Sequence, residues 1–91
     1  SKRYGSRYRI LSKLINIGYG NVMNVDKIVS VVNPDSAPIK RLVQAAKDAG
    51  TAVDATQGRK TKGVIITDSA VIVLSALLPE TIASRCEGKE K

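Results

Sequence analysis

Ninety-one residues, 43% of them hydrophobic, suffice for one small globular domain and are too few for two independent cores. Fifteen lysines and arginines against eight acids give a formal charge of +7, which points toward an anionic partner such as nucleic acid or a membrane surface. Zero histidines and a single cysteine exclude an internal disulfide, a zinc set of the usual spacing, a Ser/His or Cys/His nucleophile pair and a histidine general base.

The charge is unevenly distributed. Residues 1–13, "SKRYGSRYRILSK", hold Lys2, Arg3, Arg7, Arg9 and Lys13 with no acid, so residues 14–91 carry ten cations against eight anions, a surplus of two. This stretch reads equally as a basic arm or as an incidental extension, and its lack of an uninterrupted apolar region argues against a secretory signal. The longest apolar run of the chain, "AVIVL", is strand-sized, far short of the ~18 residues that span a bilayer. Together with the lone Cys86, which fits a reducing compartment and is assigned no function, this leads to the expectation of a soluble cytoplasmic protein.

Next comes "KLINIGYGNVMNV", an apolar patch (Leu14, Ile15, Ile17) broken by Gly18 and Gly20, and then "KIVSVV". These read as two short strands, the first meeting the second through a Gly/Asn connection. The Gly-x-Gly has no third glycine and precedes a strand rather than a helix, so a turn explains it better than a phosphate cradle. "NPDSAP" is a stop followed by a start: Pro34 ends the strand, Asp35 or Ser36 can cap, and Pro38 suits a first helical turn. A helix is predicted from about Ala37 to Ala49, with Ile39, Leu42, Val43 and Ala46 on one face and Gly50 as its left-handed terminus. The opposite face, with Lys40, Gln44 and Lys47, reads as solvated surface.

"TAVDAT" is a strand candidate, and "GVIITDSAVIVLSAL" reads as a β-hairpin turning at Asp68-Ser69. Its consecutive apolar residues make both faces of both strands hydrophobic. One face can meet the helix; the other needs a cover that "PETIASR" supplies in part, with a second copy of the chain expected to supply the rest. The acids are scattered, with no close pair in an apolar setting for acid/base work, so an enzyme, for instance one acting on a phosphorylated metabolite, is the weakest class.

The remaining chemistry lies in "TQGRKTKG", where three cations fall within four positions after Gly58. As a functional loop, Gly58 permits a sharp turn, Arg59, Lys60 and Lys62 supply charge for phosphates, and Thr61 offers a hydroxyl. As a plain loop, the cations only keep a sheet soluble. Three phosphate contacts give a salt slope of only about −0.9 × 3 on duplex DNA, so one copy binds weakly and repetition in an oligomer is needed for avidity.

"INIGYGN", "IVSVVNPDSAPIKRLVQ", "DATQGRKTK", "VIITDS" and "VLSALLPETIASR" together resemble the RemA family of bacterial extracellular matrix regulatory proteins, from about Leu14 to Arg85. The resemblance implies an α+β fold: a small, mainly antiparallel sheet with one main helix near residues 37–49 and a short C-terminal helix, similar to the DNA-binding domain of LytTR-type regulators. It implies a division into residues 1–13, a DNA-binding and oligomerisation domain at 14–86, and a charged tail at 87–91. It further implies a cytoplasmic, nucleoid-associated transcriptional regulator of biofilm matrix genes, assembled into ring-like homo-oligomers around which double-stranded DNA runs. The DNA contacts of that family fall here on Lys27, Arg59, Lys60 and Lys62. Of these only Arg59 has the planar fork for bidentate contacts. No cofactor, metal, membrane or small-molecule substrate is implied, and A·T-rich, bendable DNA is favoured if the duplex must curve. The alternative from another class is a self-assembling protein-interaction module that binds no DNA.

Overall fold

A computed structural model describes residues 14–87. The chain opens with an antiparallel hairpin of β1 (Leu14–Gly18) and β2 (Asn21–Asn24), in which Ile15 lies opposite Met23. The Gly/Asn connection therefore turns the chain within the first apolar stretch rather than joining it to "KIVSVV", as the sequence had suggested. Gly18, Tyr19 and Gly20 all take positive φ (115°, 55° and 81°), which reverses the backbone in three residues. The Asn16 carboxamide supports the turn by accepting from the Gly18 N–H at 2.7 Å.

A 3-10 turn, Val25–Lys27, capped by Asn24, then leads to β3 (Ile28–Val32) in a second sheet. That sheet has the order β3, β5 (Gly63–Thr67), β6 (Ile72–Ser75), β4 (Ala52–Asp54). The two pairs made by β5 are antiparallel, and β4 lies parallel to β6 at the edge. The expected hairpin around Asp68-Ser69 is β5–β6, and Ala70 completes its turn at φ 67°.

Helix α1 (Ala37–Ala49) has the predicted bounds. Ser36 rather than Asp35 caps it, accepting from the Ile39 N–H, and left-handed Gly50 closes it by donating to the Ala46 and Lys47 carbonyls. Its face packs Ile39, Val43 and Ala46 over Val64, Ile72 and Leu74. Leu42, expected on the same face, stays at the rim and is partly exposed.

The opposite face of the sheet, Ile65 and Val73 with Ile28 and Val31, is partly covered within the chain. Ile15, Ile17 and Met23 of the hairpin and Ile82 of α2 (Pro79–Cys86) lie against it. The cover is incomplete: Val25, Ile28, Val31, Pro79 and Ala83 line an open, largely apolar groove of about 670 Å³ between this face and α2. The β1–β2 hairpin, reversed by its own turn, covers the part of this face over Ile65 and Val73 together with α2. Burying both faces makes β5 the centre of the molecule: Val64 and Ile65 are fully buried, each contributing about 1.5–3 kcal/mol relative to exposure.

Candidate nucleic-acid interface

The basic loop, residues 55–62, spans from the end of β4 to the start of β5 and is anchored at both ends on β6. The Ala55 N–H donates to the Leu74 carbonyl at 2.9 Å, and the Lys62 N–H to the Ser75 carbonyl at 2.9 Å. Between them, Thr56 is buried and its N–H and hydroxyl both donate to Asp54 Oδ1, at 2.9 and 2.6 Å. Those two bonds, the hydroxyl's foremost, with a smaller contribution from the positive field of Lys47, hold the Asp54 carboxyl below the usual carboxylate range. The Arg59 N–H donates to the Thr56 carbonyl at 3.1 Å across Gln57 (φ 56°) and Gly58 (φ 81°). Two consecutive positive φ values within this bond are the pattern of a type I′ turn, so the glycine serves geometry and the cations after it emerge from a defined reversal.

Arg59, Lys60 and Lys62 are exposed, and none has an ion-pair partner among the described residues. Lys60, Thr61 and Lys62 line a cleft of about 220 Å³ with Pro34 and Asp35, just before α1. Thr61 and Pro34 also border a neighbouring cleft of about 250 Å³, lined from the helix by Lys40, Gln44 and Lys47. The helix stripe that the sequence marks as solvated is indeed exposed, but its lysines continue the basic surface of the loop. No local signal in the sequence reports this, because only the packing of α1 on the sheet brings position 40 beside position 61.

The hairpin turn contributes a second neighbour. The Tyr19 ring lies 4.4 Å from the Arg59 guanidinium carbon, a cation–π distance. Asn21 ties the two loops together: its Nδ2 donates to the Gly18 carbonyl at 2.9 Å and to the Ala55 carbonyl at 3.3 Å.

Lys27 stands apart. It ends the 3-10 turn, and its ammonium lies 3.9 Å from Asp68 in the β5–β6 turn, both groups well exposed. Asp68 follows β5 and Lys62 precedes it, so the strand separates Lys27 from the loop by ~20 Å, at about 3.3 Å per residue. The structure thus groups three of the four predicted contacts and leaves the fourth at the other end of the sheet. Among the described residues, no helix is long and apolar enough to cross a membrane, and no group of three His, Cys, Asp or Glu residues could hold a metal ion.

Residues 14–86 match the family model described as RemA-like, extracellular matrix regulatory protein A-like. Over 80 residues the chain is 60% identical to a protein of Lachnoclostridium phytofermentans, 88% of each chain being covered. It is 56% identical over 78 residues to a protein of Desulfitobacterium hafniense (86% of each chain). The identity is again 56% over 78 residues with a protein of Brevibacillus brevis, covering 86% of this chain and 91% of that one. All three relatives carry the provisional name of regulatory protein.

Proposed function

The chain belongs to the RemA-like family of extracellular matrix regulatory proteins, and on that premise we propose that it regulates transcription by gripping double-stranded DNA through its basic loop. The observation that carries this reading is a triad of exposed cations, Arg59, Lys60 and Lys62, without ion-pair partners among the described residues, on a loop hydrogen-bonded at both ends to the central hairpin. Phosphate oxygens are the acceptors that such cations fit, and they fix position without reading sequence. Lys40 and Lys47 extend the track along α1. Lys27, already facing Asp68, adds a flanking contact once a phosphate displaces that carboxylate.

The regulator acts as a homo-oligomer, because so few phosphate contacts per chain need repetition to hold DNA at physiological salt. An apolar depression of about 330 Å³ between α1 and the β5–β6 end, bordered by Leu42, Ala45, Ile66 and Ala70, supports self-association. So do Val29 and Val53, exposed on the two edge strands of the sheet. Its targets are regions upstream of matrix genes in the cytoplasmic nucleoid, and no catalysis is involved.

The test is duplex binding by the Arg59→Ala, Lys60→Ala double variant across a salt series. Loss of affinity with a slope shallower by about 2 per subunit engaged is expected. Unchanged affinity and slope would sink the proposal and favour an assembly module that binds another protein.

A further inference from the structure

Tyr19 occupies a position where its own packing does not require a tyrosine. It is 49% exposed and sits at φ 55°, between Gly18 at 115° and Gly20 at 81°. A side chain in that region is disfavoured relative to glycine, and strain of this kind persists where the surroundings over-determine it, most often at functional positions. Its ring lies against the Arg59 guanidinium, 4.4 Å from the central carbon.

We infer that Tyr19 is a positioning residue of the DNA interface: stacked on Arg59, its ring fixes the guanidinium so that the remaining donors of the planar fork meet a phosphate or a guanine edge. The inference rests on the DNA-binding reading above. Two contacts restrict the Arg59 side chain before any DNA arrives, and a third tie fixes the turn that carries Tyr19. The Arg59 guanidinium carbon lies over the Tyr19 ring, the Gln57 carbonyl accepts from Nη1 at 3.4 Å, and Asn21 holds the hairpin turn to the base of the basic loop. Arginine loses its side-chain freedom on binding unless it is ordered beforehand, so the stack lowers what the complex must spend on ordering. Arginine is also the one cation of the loop that can use it, since a guanidinium stacks and chelates where an ammonium is a point charge. Tyr19 itself carries no charge to a phosphate, which separates its effect from that of Arg59.

The experiment compares the full chain with Tyr19→Phe, Tyr19→Gly, Tyr19→Asn, Arg59→Ala and the double variant Tyr19→Gly, Arg59→Ala. Each is measured for thermal stability and for duplex affinity across a salt series. Tyr19→Phe keeps the stack and binds as the parent does. Tyr19→Gly relieves the positive φ, so its Tm does not fall, yet its affinity at fixed salt drops about two- to five-fold for each engaged subunit. Its salt slope is unchanged, whereas Arg59→Ala makes the slope shallower by about 1 per subunit engaged. In the Arg59→Ala background the Tyr19 substitution has no further effect. Should the glycine loosen the turn and lower Tm, Tyr19→Asn, which also tolerates the left-handed region, supplies the same comparison. Parental affinity in Tyr19→Gly and Tyr19→Asn, with Arg59→Ala still weakened, overturns the positioning role alone. So does a loss that persists undiminished without Arg59. Parental binding by Arg59→Ala overturns this role and the DNA interface together.

Discussion

Gly63 begins β5 with no room for a side chain: a Cβ built on it would lie 2.6 Å from the Leu77 carbonyl oxygen and 3.4 Å from Ile82. The obstructing atom is backbone at the approach to α2, so it yields only if the helix start shifts off the sheet. Gly63→Ala is expected to destabilise the fold by about 1–3 kcal/mol, seen as a lower denaturant midpoint at unchanged slope. Parental stability would show that the α2 approach is looser than the packing implies. Asp54 makes a different prediction, in pH. Its folded pKa lies below the ordinary value, so the unfolded chain takes up the proton first as pH falls. The stabilisation is complete above the ordinary carboxylate range and is lost as pH drops through the lowered folded value. Asp54→Asn has no charge to lose, so the Tm advantage of the parent over it should shrink on acidification below about pH 4. A difference that stays constant with pH would mean that the loop's anchor is indifferent to the carboxylate charge.

At the scale of elements, what the sequence disclosed depended on whether the information was local. Helix α1 was legible to its end residues because its caps, Ser36 and Gly50, and its apolar period lie within the segment itself. The β5–β6 hairpin was equally plain from two β-branched runs around a polar turn. The β1–β2 hairpin was not, since Val22 is exposed and β2 buries little, leaving no alternation to mark it as a strand of its own. The hairpin's share in covering the sheet's second face is likewise invisible in the sequence, which marks only "PETIASR" and a second copy of the chain as cover. The candidate site divides the same way. The loop cations are contiguous in sequence and stood out, whereas Tyr19, Lys40 and Lys47 join them only through tertiary packing. This yields a prediction for α1 as an element: Lys40→Ala with Lys47→Ala should weaken duplex binding and make the salt slope shallower by about 1–2 per subunit engaged. Stability should stay within about 0.5 kcal/mol per site, since both side chains are exposed. An unchanged slope would confine the interface to the loop.

For the whole molecule, the decisive quantity is where the positive charge acts. Residues 1–13 lie outside the described residues, yet they hold five of the fifteen cations and none of the acids, so the remainder of the chain is nearly balanced. A polyanion can therefore bind in two physically distinct ways. Attraction to the N-terminal segment grows with the number of its charges and is weakened by salt. Attraction to the loop is short-ranged, set by a few anchored cations, and useful only when several subunits present them together. A chain beginning at Lys13 lacks Lys2, Arg3, Arg7 and Arg9, and separates the two. If the loop carries the function, the shortened chain keeps its oligomeric mass and still binds duplex with a steep salt slope, shallower than that of the full chain by at most about 0.9 for each removed charge that had met a phosphate. The Arg59→Ala, Lys60→Ala substitutions should then abolish what binding is left. If binding disappears with residues 1–12 while the oligomer persists, the affinity was that of the N-terminal charges, and the folded domain is an assembly unit whose exposed lysines face solvent or a protein partner.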